Sequence, residues 1–324
     1  MPIMSDTHTA ELAAVRDLFL GRGLEGAELE QRATQALSIE YWRSLQPSLT
    51  VTGPTAPALA ACEALSPHRE AGLLDGYERE GYMRFDGLVP PELTAQMKAG
   101  VHTLLSNDWP AVFSWMYDEF WRVPRMSAFA AVCRQILGPG FRQTPYIWTH
   151  VVAGQKGSGG WPPHVDNTGP DDRVTLWVPL SEASLEIGCM YVVPKDTVPA
   201  AVMAEFHSRT SFTTSEVDAL LRGARPLIAP PGTGLSWDAR LIHWGSSRLA
   251  SGEPRISFSM EFIGATGDPS VVSRSVPTEP EALPSFEDRL RIVAHNIRVF
   301  HGRELRVSRY LPLAVRLLEH LGGA

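Results

Sequence analysis

Trp161-Pro-Pro-His-Val-Asp166 places an imidazole and a carboxylate two residues apart, after a glycine-rich approach, Gly154-Gln-Lys-Gly-Ser-Gly-Gly160. On an extended strand, residues i and i+2 point to the same face, so His164 and Asp166 are placed to grip one ion together. A second histidine, His243, stands in Leu241-Ile-His-Trp-Gly-Ser-Ser247, behind the turn-rich run Pro230-Pro-Gly-Thr-Gly234. Two histidines and one carboxylate suit non-heme Fe(II), holding one face of the ion and leaving its other positions open. A His-x-acid pair alone arises by chance; His68-Arg-Glu70, in a segment of helical character, is such a decoy. The weight therefore falls on the order of the elements around the pair.

Strand signals surround it. Tyr146-Ile-Trp-Thr-His-Val-Val152, Arg173-Val-Thr-Leu-Trp-Val-Pro-Leu180 and Cys189-Met-Tyr-Val-Val-Pro194 are rich in β-branched and aromatic residues. Further strands are expected over 224–228, 234–237, 241–243 and 255–263. Many short strands divided by Gly/Pro turns point to a sandwich or barrel, here a jelly roll.

Helices are expected before and after this block. Leu12, Val15, Phe19 and Leu20 fall near helical spacing, and Gly21-Arg-Gly23 ends that segment. A second helix is expected over 27–44, followed by a Pro/Gly/Thr linker that includes residues 53–57. A short helix and a strand with Tyr82 and Phe85 come next, then a helix over 92–106 opened by Pro90-Pro91. The aromatic run Trp109, Phe113, Trp115, Tyr117, Phe120 and Trp121 is expected to be core. Another helix is expected over 127–137, stopped by Gly138-Pro-Gly140, and the tail from 285 to 322 returns to helix. The division expected is residues 1–72 as a helical extension, 73–270 as the β-rich unit and 271–324 as a helical segment packing on it. The extension is a decoration on the core, or else a lid or the interface of a homodimer.

The chain of 324 residues is 44% hydrophobic and 20% charged, ordinary for a globular protein with a sizeable core. A net charge of −7 argues against nucleic acid or an anionic membrane as the main partner. No run reaches the ~18 apolar residues of a membrane span. The N-terminus lacks the basic-then-apolar layout of a signal peptide, and Cys62, Cys133 and Cys189 are odd in number and far apart. A cytoplasmic protein with free thiols is expected.

From residue 73 to 263 the order of motifs resembles the phytanoyl-CoA dioxygenase family of Fe(II)/2-oxoglutarate oxygenases. The resemblance rests on the Glu-x-Gly-Tyr and Asp-Gly-Leu-Val-Pro-x-Glu opening between Glu78 and Glu92, and on Pro162-Pro-His-x-Asp166. It continues through Val174-Thr-Leu-Trp177, the strand from Met190 to Pro194, and Leu241-Ile-His243 followed by Arg255. Two departures stand out. The family's His-Gly-Ser becomes His243-Trp-Gly-Ser246, one residue longer, and its Pro-Gly-Ser-His becomes Pro194-Lys-Asp-Thr197. Neither removes a metal ligand.

The resemblance implies a double-stranded β-helix core, jelly-roll and cupin-like, mainly β with flanking helices. It implies Fe(II) held by His164, Asp166 and His243, with 2-oxoglutarate and O2 as co-substrates, succinate and CO2 as co-products, and hydroxylation as the default outcome. Related halogenases replace the carboxylate by a small residue; Asp166 excludes that subclass here. Arg255, with Ser257 on the same strand face, is the candidate clamp for the distal carboxylate of 2-oxoglutarate through paired hydrogen bonds; Arg248 ranks second. Ser246 is a candidate hydroxyl donor and Trp177 a candidate wall of the co-substrate pocket. On the neighbouring strand, Thr149 or His150 faces the cavity, His150 not as a ligand. Trp161, Asn167, Thr168, Trp237 and Trp244 flank the ligands and are candidates for the substrate mouth. No dense Lys/Arg cluster is present for an acyl-CoA, which favours a small molecule such as an amino acid or natural-product intermediate. The rival reading is a metal-binding cupin without oxygenase activity, either a sensor or a zinc hydrolase or isomerase.

Overall fold

A computed structural model of the chain describes residues 23–51, 65–197, 200–206, 211–279 and 282–322. The helical segment expected around Leu12, Val15, Phe19 and Leu20, the linker residues 53–57 and Cys62 lie outside the described residues. Among the described residues nine strands are found: β1 Tyr82–Phe85, β2 Arg142–Val152, β3 Arg173–Pro179, β4 Met190–Val192, β5 Arg225–Leu227, β6 Gly234–Asp238, β7 His243–Gly245, β8 Arg255–Ile263 and β9 Val276–Pro277. They form a six-stranded sheet in the order β1-β6-β3-β8-β2-β9 and a three-stranded sheet in the order β5-β4-β7. Every pairing is antiparallel. This is the jelly-roll core with flanking helices, although helix outweighs strand, 44% against 18%.

β8 shows how the sequence builds the layers. Its residues alternate strictly, with Ile256, Phe258, Met260 and Phe262 between Arg255, Ser257, Ser259 and Glu261, and alternate side chains point to opposite faces. The apolar set joins Leu176 and Val178 of β3 in the main core, against the helices that carry Phe129, Leu290, Val293 and Ile297. The polar set faces the smaller sheet. A second apolar cluster, including Trp177, Met190, Val192, Leu235 and Trp237, closes the space between the sheets.

The tail helix Phe286–Phe300 is tied to a defect in β2. Pairing between β2 and β8 slips between Gln143 and Ile147, where Pro145 has no N–H to give to a ladder. The buried Asn296 repairs the gap: its Oδ1 accepts from Ile147 N at 3.2 Å and its Nδ2 donates to the Pro145 carbonyl at 2.7 Å. An unpaired backbone group in this interior would be costly, so the bulge and the helix specify one another.

The aromatic run is core, as expected: Trp109, Phe113, Trp115, Tyr117, Phe120 and Trp121 are all buried. Trp42 stacks on Phe113 with ring centroids 5.4 Å apart, which brings the segment before residue 51 into the same cluster. The single helix expected over 27–44 is instead two, Gly26–Ala36 and Ile39–Leu45, because Ser38 accepts a hydrogen bond from Tyr41 N and starts a new helix. Cys133 and Cys189 are free and buried. Among the described residues, no helix is long and apolar enough to cross a membrane.

Candidate metal centre

The segment 160–166 runs antiparallel to 239–245 through backbone bonds rather than a regular strand. His164 N donates to the His243 carbonyl and His243 N to the His164 carbonyl, both at 3.0 Å. Asp166 N donates to the Ala239 carbonyl at 2.8 Å, and Gly245 N to that of Trp161 at 3.1 Å. The strand expected over 241–243 lies instead at His243–Gly245, since Leu241 N closes a turn onto Asp238. A side chain on Gly160 or Gly245 would enter this seam, as a Cβ on either would meet the other's Cα within 3.0 Å.

Three donor atoms converge here. His164 Nε2 and His243 Nε2 each lie 3.5 Å from Asp166 Oδ1, and the three ligand atoms fall within 4.8 Å of one another. The other ring nitrogens are engaged: His164 Nδ1 donates to the Pro162 carbonyl at 2.7 Å and His243 Nδ1 to that of Leu241 at 2.9 Å. In the neutral rings this fixes the tautomer with the Nε2 lone pairs facing Asp166 Oδ1. The second carboxylate oxygen, Oδ2, accepts from Thr175 Oγ1 at 2.7 Å and Trp237 Nε1 at 3.2 Å. Burial alone would raise the Asp166 pKa, but with the imidazoles protonated the charge of His243 and the hydrogen bonds from both rings hold it well below the usual carboxylate range. Two imidazoles and an ionised carboxylate, each braced from behind, fit a divalent transition metal. His68 and Glu70 belong to no metal-binding cluster among the described residues.

A small cavity of about 50 Å³ joins the triad to Arg255, Trp177, His150 and Ser259. Arg255 is 2% exposed and has no acidic partner among the described residues. Its Nη1 donates to the Gly188 carbonyl, and its Nε is buried with no hydrogen-bond partner. Burial pushes its pKa down to about 10, so it remains a cation at neutral pH. Ser257 shares the Arg255 face, and its buried hydroxyl is likewise unpartnered. A buried cation with spare donors fits a carboxylate ligand. Arg248, by contrast, is committed to the Ala250 and Glu253 carbonyls at 3.2 and 2.7 Å. His150 Nε2 and Ser259 Oγ are 3.0 Å apart, and burial, with Arg255 and His164 nearby, pushes the His150 pKa down to about 3.

A second cavity, of about 350 Å³, adjoins His164 and Asp166 and is bounded by Tyr146, Trp148, Trp161, Glu261, Phe300 and Arg303. Trp161 lines both cavities and is pinned by a hydrogen bond from its Nε1 to Glu304 Oε1 at 2.5 Å. A larger groove of about 860 Å³ borders the helix Phe286–Phe300 but touches none of the triad.

Trp177 and Trp237 line the small cavity and Trp161 lines both, but five other candidates need correction. Thr149 points to the helix layer, where its hydroxyl lies 2.8 Å from Ser114 Oγ; His150 takes the cavity side. The Ser246 hydroxyl donates to the Cys189 carbonyl at 3.0 Å and braces the smaller sheet. Asn167 caps its own loop, accepting from Gly169 N at 2.9 Å and donating to the Asp171 carbonyl at 3.0 Å. Thr168 is exposed and lines neither cavity. Trp244, the extra residue in its motif, stacks on Tyr191 at 5.3 Å and lines neither cavity. Missing from the sequence reading were Thr175, Ser259, Glu261 and the helix-end residues Phe300, Arg303 and Glu304. Thr175 was within reach, because it shares the strand parity of Trp177.

No protein-family model matches the chain, and no curated protein matches it. Solved structures do. The non-heme alpha ketoglutarate dependent epimerase SnoN from nogalamycin biosynthesis aligns at a TM-score of 0.52 and 20% identity over 64% of this chain and 87% of its own. SnoN in complex with Fe3+, alpha ketoglutarate and nogalamycin RO aligns at 0.51 and 18% identity, over 67% of this chain and 89% of its own. The carbocyclase SnoK from the same biosynthesis aligns at 0.50 and 18% identity, over 69% and 96%. At such identities the likeness establishes a shared fold.

Proposed function

We propose that the protein is a mononuclear Fe(II)- and 2-oxoglutarate-dependent oxygenase of the phytanoyl-CoA dioxygenase kind, acting on a small molecule. The observation that carries this is the pairing, across one small cavity, of the His164/Asp166/His243 donors with a buried, acid-free Arg255. Iron bound there would, with 2-oxoglutarate and O2 as co-substrates, supply oxidation of an unactivated C–H bond, one oxygen atom going to succinate as CO2 is released and the other to the substrate.

The chain's own residues divide the work. His164 Nε2, His243 Nε2 and Asp166 Oδ1 hold the metal on one face, while Thr175 and Trp237 fix the Asp166 carboxylate from behind. Arg255 receives the distal carboxylate of the oxo-acid, with the Ser257 hydroxyl beside it and Trp177 as a wall. Trp161, held by Glu304, stands between this pocket and the larger cavity, keeping water from the centre and bounding the substrate's place. His150, neutral at working pH, adds no charge to the centre. Hydroxylation is the default outcome.

The test is succinate formation from 2-oxoglutarate by the iron-loaded protein in air. Slow release without added substrate, lost in His164→Ala and His243→Ala, is expected. Retention of iron with no succinate under any condition would favour a metal-binding cupin without oxygenase activity.

A further inference from the structure

Besides the candidate ligand Asp166, the cavity of about 350 Å³ beside the triad is lined by one other acid, Glu261. Glu261 lies on the polar face of β8, 5% exposed, and pairs in register with Thr175, the residue that donates to Asp166. Its Oε1 accepts from Arg173 Nη1 at 3.0 Å, and Thr144 supplies a further hydrogen bond. An ionised carboxylate offers about four lone-pair sites, so those partners leave accepting capacity facing the cavity. Burial pushes the Glu261 pKa up to about 7 against the opposing pull of Arg173, so the pair does not fully compensate the buried charge. Above the acid the walls are aromatic. Phe300 lies 5.0 Å from the Trp148 ring and 5.2 Å from that of Trp161, and the Arg303 guanidinium lies 6.0 Å from the Trp161 ring in the same cavity wall. At about 350 Å³ the cavity is at the small end of ligand sites.

We propose that Glu261 is the polar anchor of the substrate cavity. The substrate is then a compact molecule with a flat or cyclic apolar body lying against the wall formed by Trp148, Trp161 and Phe300. It carries a hydrogen-bond-donating group, amine or hydroxyl, that meets Glu261. The term substrate rests on the oxygenase assignment, but the recognition chemistry does not. A free carboxylate at the same end would meet a buried acid and is disfavoured. The alternative role for Glu261 is that of a strut, tying β8 to β3 through Arg173.

Three probes with one ring and different head groups separate these roles: tryptamine, tryptophol and indole-3-acetate. Their affinities for the metal-free full-length protein are measured by saturation-transfer NMR near pH 8, above the Glu261 pKa of about 7. Wild type is expected to bind tryptamine or tryptophol about tenfold more tightly than indole-3-acetate, the size of one hydrogen bond to a charged group. A preference for the amine over the alcohol assigns a cationic substrate; equal binding of the two assigns a hydroxyl. Glu261→Gln should diminish the discrimination against the acid, leaving only the part that Asp166 contributes. Arg173→Gln, which breaks the strut but keeps the acid, should preserve or sharpen it. Absence of binding by all three, equal binding of donors and acid by wild type, or undiminished discrimination in Glu261→Gln would overturn the proposal. Neither iron nor 2-oxoglutarate enters this assay, so its failure is distinct from a failure to form succinate.

Discussion

Arg255→Ala should separate binding of the co-substrate from binding of the metal. Arg255 is 2% exposed, gives Nη1 to the Gly188 carbonyl and leaves Nε without a partner. A carboxylate arriving at that end of the cavity gains charge-assisted hydrogen bonds from a guanidinium that is already desolvated. Truncating one side of a buried, hydrogen-bonded charge pair costs about 2–5 kcal/mol. Taking about 3 kcal/mol, the dissociation constant for 2-oxoglutarate should rise by about two orders of magnitude. The metal donors do not touch this side chain, so metal affinity should stay within about threefold of wild type, under 1 kcal/mol. Arg248→Ala is the matched control, because its guanidinium is spent on the Ala250 and Glu253 carbonyls. Anaerobic calorimetric titration of 2-oxoglutarate into the metal-loaded variants reads these effects. Wild-type affinity in Arg255→Ala, or the loss appearing in Arg248→Ala instead, would refute the assignment of the clamp.

Three other predictions concern the supports of the site. Thr175→Val removes the 2.7 Å hydrogen bond to Asp166 Oδ2 and should weaken metal binding by about 10- to 100-fold in a chelator competition, with Trp237 left as the remaining brace. Glu304→Ala frees the Trp161 ring, which packs 5.6 Å from that of His164; EDTA should then extract the metal about tenfold faster, and an unchanged rate would remove Trp161 as a barrier. Arg289 is fully buried, with its Nη1 donating to Asp118 Oδ1 at 2.5 Å and to the Met116 carbonyl at 3.0 Å. Arg289→Ala leaves a buried carboxylate short of its partner and should lower stability to denaturant by about 3–5 kcal/mol, whereas a change under about 1 kcal/mol would show that Asp118 is satisfied without it.

The parts of the fold that follow from periodicity were legible in the sequence. β8 and the helix Ser127–Leu137 occupy the bounds expected of them, because strict alternation marks the first and a Gly-Pro-Gly stop marks the second. The triad was legible because His164 and Asp166 are two residues apart in the chain and His243 stands behind the turn-rich run Pro230-Pro-Gly-Thr-Gly234. The face of β2 was not. Ile147 and Val151 on one side and Trp148 on the other are all large and apolar, and a strand buried on both faces loses its alternation; Thr149 and His150 could not be told apart. Proximity in sequence misled at Asn167, Thr168 and Trp244. Successive residues reverse face, and a loop such as 167–171 spends its polar groups on itself. Glu261 stood in plain alternation with Arg255 yet carried no motif. Phe300 and Arg303 reach the cavity, and Glu304 reaches Trp161, from the end of a helix far along the chain, a closure that only the tertiary packing brings about.

One iron and one 2-oxoglutarate are expected to meet at His164, Asp166, His243 and Arg255. Mixing the protein anaerobically with Fe(II) and 2-oxoglutarate tests it most directly, through the visible charge-transfer band of the chelate. A band at one iron per chain is expected, absent in His243→Ala and requiring far more 2-oxoglutarate in Arg255→Ala. Iron bound stoichiometrically at the triad, with no band at any 2-oxoglutarate concentration, would contradict it.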